Sequence, residues 1–250
     1  MQGIKFVYFD LDDTLCGYWD ASKAALRTTF ELHGPEGFTP EEMVIHWAEA
    51  YREYAPLIKT PDWYPQYLAS GDVTRKEHMR RVLARMEIVD DEITQKLADH
   101  YRFQRNANLQ LFPDAITVLT ELKKRFGIGL ITNGPADIQR EEIATLGIEG
   151  FLDHVWIEGE MLEGKPKVGV FDRATAAAGC EREEILMVGN SYGHDIEPAI
   201  RYGWKTAWIR RPSDVPPSAK HAEPESRPAD KPEPTVEIGS LSELLPLLVA

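Results

Sequence analysis

The stretch Ile4-Lys5-Phe6-Val7-Tyr8-Phe9-Asp10-Leu11-Asp12-Asp13-Thr14-Leu15 gives the key to the chain. Residues 4–9 are rich in aromatic and β-branched side chains, with apolar residues on both faces. Such a run predicts a strand buried inside a parallel sheet. Acids follow at once. Alternation places Asp10 and Asp12 on the same side as the chain leaves the sheet. Ligands of open α/β sheets bind outside the carboxyl ends of strands. Two carboxylates there repel unless a cation or proton separates them, and a hard divalent cation such as Mg²⁺ suits their oxygens. Acid-rich turns are also common as plain structure, so this cluster leaves both readings open.

Similar runs recur at Ile128 to Thr132, His154 to Ile157, Ile185 to Val188 and Thr206 to Ile209. Helical patterns at 114–125, 137–146, 168–178 and 194–202 separate them. Strands alternating with helices predict an α/β fold, a parallel sheet with helices on both faces. One interval breaks the rhythm, because Leu11 and Gly127 lie far further apart than one crossover helix needs. Residues 16–110 therefore read as an inserted α-helical domain, with 1–15 and 111–250 forming the core. Inside it, 74–87 begins with Thr74 and has Glu77 three positions later, a capping-box pattern; 91–101 also looks helical.

Aromatic residues gather in the insertion: Trp47, Tyr51 and Tyr54 at helical spacing, then Trp63, Tyr64 and Tyr67. They suit either the insertion's own core or a wall of a substrate pocket. Arg75, Lys76, Arg80, Arg81 and Arg85 read as a solvated helix face, with a substrate-anion role as the alternative. Residues 212–234 hold seven of the 17 prolines and eight charged residues, which predicts an extended, polyproline-prone segment. Residues 236–248 recover a strand-turn-helix pattern suited to docking back on the core.

The 250 residues carry a net charge of −13, which argues against a general nucleic-acid binder, since that needs a basic surface. No apolar run approaches the ~20 residues of a membrane span, so neither nucleic acid nor membrane is an expected partner. Cys16 and Cys180 cannot build a disulfide scaffold or a four-cysteine zinc site. The N-terminus lacks a basic region ahead of its short apolar run. A reduced, cytoplasmic setting is the expectation; the oligomeric state is left open.

Three further strand ends carry polar groups. Ile131-Thr132-Asn133-Gly134 offers a hydroxyl beside a flexible turn, although the same residues make a good turn in any protein. Glu163-Gly164-Lys165-Pro166-Lys167 adds an ammonium. Gly189-Asn190-Ser191-Tyr192-Gly193-His194-Asp195 adds an acid that suits a metal or caps the next helix. With these four signals in order, the chain resembles the haloacid dehalogenase-like hydrolase superfamily over roughly residues 4–211. The resemblance implies a Rossmann-like three-layer α/β/α core with a mobile helical cap. It implies that Asp10 is the nucleophile and Asp12 the general acid and base, with Thr14 positioning Asp12 and contributing to substrate binding. It further implies that Thr132 and the Asn133 backbone hold phosphate oxygens and that Lys165 neutralises charge between phosphate and Asp10. Mg²⁺ would bind Asp10, the Asp12 carbonyl and Asp195. Asn190 stands where the family often has an acid, and its amide oxygen is a further candidate ligand.

The activity so implied is a Mg²⁺-dependent phosphatase acting on a small phosphorylated metabolite through an aspartyl-phosphate. A haloacid dehalogenase of the same superfamily is the first alternative, but halide displacement needs no acid for an alkoxide leaving group, so Asp12 favours the phosphatase. A phosphomutase can use both aspartates; a phosphonate hydrolase would need a suitable cap lysine. Outside enzymes, the alternatives are a phospho-accepting receiver, which is a compact single domain, and a catalytically silent binding module.

Overall fold

The computed structural model describes residues 1–221 and 223–249. Strands β1 (Phe6–Phe9), β2 (Gly127–Thr132), β3 (His154–Ile157), β4 (Ile185–Gly189), β5 (Lys205–Ile209) and β6 (Val236–Ile238) form one parallel sheet in the order β3-β2-β1-β4-β5-β6. The five expected strands are present, and the 236–248 pattern docks as the sixth. Helices α1 (Tyr18–His33), α2 (Pro40–Ile58), α3 (Tyr64–Ala69), α4 (Gly71–Ala84) and α5 (Asp91–Asn108) lie between β1 and β2. The remaining helices are α6 (Ala115–Lys123), α7 (Ala136–Leu146), α8 (Glu158–Met161), α9 (Val168–Ala178), α10 (Glu197–Tyr202) and α11 (Leu244–Leu248). Among the described residues no helix is long and apolar enough to cross a membrane.

The two-residue period of β1 divides the core into two layers. Val7 and Phe9 pack with Val118, Leu119 and Leu122 of α6 and with Leu244 of α11. Phe6 and Tyr8 face the other way, toward Val170, Phe171 and Ala174 of α9. A separate apolar cluster lies within α1, α2, α4 and α5, built on Leu26, Phe30, Met43, Trp47, Met79, Leu83 and Leu97. The chain enters and leaves these helices side by side: Phe112 N–H donates to the Leu15 carbonyl (2.9 Å) and Gly17 N–H to that of Gln110 (3.0 Å).

Side-chain caps set the starts of α2, α4 and α5. Thr39 and Glu42 form a reciprocal capping box ahead of Pro40, and Asp90 accepts from the Glu92 and Ile93 amides, both at 2.9 Å. The capping box expected at Thr74 is absent, because α4 starts earlier, with Ser70 as its cap. Thr74 instead donates to the Gly71 carbonyl at 3.2 Å, and Glu77 pairs with Arg80 and Arg81. The helix expected over 194–202 is divided: Tyr192–Ile196 forms a wider π-type turn before α10 begins.

His78 is buried within the helical layer, 4.6 Å from the Trp47 ring, and its Nε2 bonds the Trp47 carbonyl at 3.1 Å. Burial lowers its pKa to about 4, against an ordinary value near 6.5. The neutral ring therefore contributes stability that is complete above about pH 6.5 and lost as pH falls toward 4, of the order of 3 kcal/mol. In pH-dependent unfolding, His78→Gln is expected to show a shallower loss across that window. Equal slopes in the two proteins would refute this account.

Candidate active site

Strand order reverses between β1 and β4, so a crevice opens at their carboxyl ends. Asp10 follows β1, Thr132 ends β2, Asp195 lies in the turn after β4, and Lys165 comes from the segment between α8 and α9. The Lys165 ammonium is buried and donates to Asp10 Oδ1 (2.6 Å), Asp195 Oδ1 (2.6 Å) and the Ile131 carbonyl (2.7 Å). All three of its protons are engaged.

The sequence builds this convergence locally. The Asn133 amide accepts from Lys165 N and donates to Lys165 O, both at 2.8 Å, and so clamps the lysine's main chain to the end of β2. The Asn133 side chain is thereby occupied. At Gly164 a Cβ would come within 2.6 Å of Asn133 Oδ1, and at Gly189 within 2.4 Å of the Asp195 carboxylate. Only glycine permits both approaches.

Thr14 differs from expectation. It is fully buried, and its hydroxyl lies 3.3 Å from Asp10 Oδ2 and 3.2 Å from Asn190 Oδ1, not beside Asp12 and not open to a substrate. The reason is Asp13, whose φ of 57° is left-handed and turns the next residue inward. The Trp19 amide on Asp13 Oδ1 (3.1 Å) and Arg211 on the Asp13 carbonyl (2.9 Å) hold that turn. Asp12 is instead approached by Gln139 Nε2 at 3.3 Å. The same amide donates to Glu142 (2.9 Å), and its oxygen accepts from the Thr132 hydroxyl (2.5 Å). Glu142 is fully buried and paired with Arg105 of α5 at 2.9 Å.

Negative charge is in excess. Burial raises Asp10 to about 6 although Lys165 pulls it down, with Asp195 adding to the rise. Burial likewise raises Asp195 against the pull of Lys165. Asp12 stands well above the ordinary carboxylate range, through burial first and then the charge of Glu142. Among the described residues no three acid, histidine or cysteine side chains form a ready metal cluster. The donors that fit Mg²⁺ are all oxygens: Asp10, Asp195, the Asp12 carbonyl and Asn190. Asn190 donates from Nδ2 to Asp214 at 3.0 Å, which leaves its oxygen turned toward Thr14.

A cavity of about 460 Å³ lies above these groups, bordered by Trp47, Tyr51, Tyr54 and Tyr67. Trp47 thus serves both the helical core and the cavity wall. Trp63 packs edge-on against Tyr54 and Tyr64 donates to Glu158; neither borders the cavity. Of the basic residues on α4 and just after it, Arg75 borders it, while Arg80 and Arg81 pair with Glu77, and Arg85 with Glu49 and Glu53.

Five residues here escape the motif reading. Gln139 and Glu142 are buried beside Ile138 and Ile143, so a polar break in the apolar stripe of α7 is their signal. Arg105 continues the Leu97, Tyr101 face of α5 in the same way. Glu158 accepts from Gly134 N (3.1 Å), Tyr64 (2.8 Å), Tyr67 (3.2 Å) and the Lys59 ammonium. Asp214, within the proline-rich stretch, has no sequence signal at all.

An α/β sheet whose switch-point crevice gathers aspartates and a lysine defines a hydrolase-type site rather than a structural module. The chain belongs to the haloacid dehalogenase-like hydrolase family, whose profile matches residues 7–209. It is 26% identical over 221 residues to N-acylneuraminate-9-phosphatase from Rattus norvegicus, covering 86% of each chain. It is 30% identical over 212 residues to glyceraldehyde 3-phosphate phosphatase from Pyrococcus furiosus, covering 84% of this chain and 82% of that one. The fold also matches the HAD-hydrolase YfnB from Bacillus subtilis bound to magnesium, with a TM-score of 0.74, 21% identity and full coverage of both chains.

Proposed function

We propose that the chain is a Mg²⁺-dependent phosphatase hydrolysing a small phosphorylated metabolite through an aspartyl-phosphate on Asp10. The carrying observation is the convergence of Asp10, Lys165 and Asp195 beneath a roomy cavity. Asp10 attacks phosphorus as the ester P–O bond breaks, and Asp12 gives its proton to the leaving oxygen. Water then attacks the aspartyl-phosphate, its proton passes to Asp12, and phosphate leaves with Asp10 restored. The Asn133 backbone and the Thr132 hydroxyl, once it turns from Gln139, hold phosphate oxygens, while Lys165 offsets the charge between phosphate and Asp10. Mg²⁺ held by Asp10, the Asp12 carbonyl, Asp195 and Asn190 would supply charge neutralisation. Helices α1–α5 act as a cap over the site, which excludes bulk water when closed.

Phosphate release from a metabolite panel is expected with Mg²⁺ and not with EDTA, and no halide release from 2-haloacids. Asp12→Asn is expected to slow release by about 10²–10⁴-fold, most for esters with poor leaving groups. A rate that Asp12→Asn leaves unchanged across leaving groups of different basicity would remove Asp12 from that role.

A further inference from the structure

We infer that the substrate's phosphate is carried by a neutral body with a planar π face, the size of a nucleoside or an aryl alcohol, and without a second anionic group. This rests on the phosphatase reading above and specifies its substrate class. The cavity, at about 460 Å³, is much larger than a phosphoryl group requires. Its cap-side wall is aromatic: Trp47 stacks on Tyr51 with centroids 5.3 Å apart and planes within 6°, and Trp47 lies 4.6 Å from His78. Flat, rigid rings of this kind favour a planar guest through stacking.

Charge selects against a second anion. Four aspartates border the cavity, Asp10, Asp12, Asp13 and Asp195. Every bordering cation already faces a carboxylate. Lys165 lies between Asp10 and Asp195; Arg105 is paired with Glu142, Lys59 with Glu158 and Arg75 with Asp72. A carboxylate on the substrate body would meet cations whose charge a carboxylate of the protein already offsets, so each would stabilise it less than an unpaired cation would. An uncharged ring needs no such cation.

The test is calorimetric binding to the Asp10→Asn protein in Mg²⁺, which removes turnover. The probes are uridine 5′-monophosphate and benzyl phosphate, glycerol 1-phosphate as the neutral non-aromatic control, and 3-phosphoglycerate and phosphoglycolate as the carboxylate-bearing esters. The two aromatic probes are expected to bind about tenfold or more tighter than the others, and the stronger of the two distinguishes a nucleoside from an aryl body. Tyr51→Leu, checked for folding by circular dichroism, is expected to erase that preference. Glu158→Gln, which leaves Lys59 without its carboxylate, is expected to strengthen binding of the two carboxylate-bearing esters. The inference is overturned if those esters bind the unaltered cavity as tightly as the aromatic ones, if folded Tyr51→Leu keeps the preference, or if no aromatic ester binds at millimolar concentration. Phosphate release from acetyl phosphate by the wild-type protein reports separately on the phosphatase reading, so the two can fail independently.

Discussion

Asp10→Asn is expected to reduce phosphate release by more than about 10³-fold at saturating substrate, because an amide oxygen is a poor nucleophile and no other group stands in its place. Asp10 directly follows the central strand, and its Oδ1 is fixed by Lys165 at 2.6 Å, so the reacting atom is positioned by the sheet and not by a flexible loop. The fold is expected to survive. Lys165 keeps Asp195 and the Ile131 carbonyl as partners, and the amide has nearly the shape of the carboxylate. Steady-state phosphate release and a melting curve on the same purified variant test both halves of this expectation. Wild-type-like rates would overturn the assignment of Asp10 as nucleophile.

Lys165→Met is expected to damage both activity and stability. Asp10 and Asp195 meet on one ammonium that is almost wholly buried, and its removal leaves two carboxylates facing each other away from water. Breaking a buried ion pair by removing one partner costs about 3–5 kcal/mol. Protonation of one carboxyl recovers part of that loss, so the penalty is expected to shrink as pH falls. Added Mg²⁺ is expected to raise the melting temperature of Lys165→Met more than that of the wild type, since a divalent cation takes over the neutralisation. An unchanged melting temperature in metal-free buffer would show that the ammonium has no such role.

The positions of the chemical groups follow from local chain properties. A run such as Phe6–Phe9 is apolar on both faces and belongs inside a sheet, and the residue after it leaves the sheet at the carboxyl edge. For that reason Asp10, Thr132 and the Gly189–Asp195 segment were legible as neighbours before any coordinates. The interval between Leu11 and Gly127 was legible too, as a length no single crossover requires. Helix starts were less so: Thr74 and Glu77 have the spacing of a capping box, but Ser70 lies earlier and the helix begins there.

What lay beyond the sequence is what depends on side-chain direction after a turn or on contacts between distant segments. The left-handed Asp13 rotates Thr14 away from Asp12 toward Asp10 and Asn190, and a single dihedral of that kind leaves no periodic trace. Glu142 meets Arg105, Glu158 meets Lys59, and Asn190 meets Asp214 across separations of 24 to 99 residues. The two ion pairs offset charge at the cavity wall, and all three pairings exist because packing brings α2, α5 and the proline-rich stretch onto the sheet edge. Strand and motif positions are dictated by short-range pattern; the charge of a cavity wall is a sum over residues that only folding brings together.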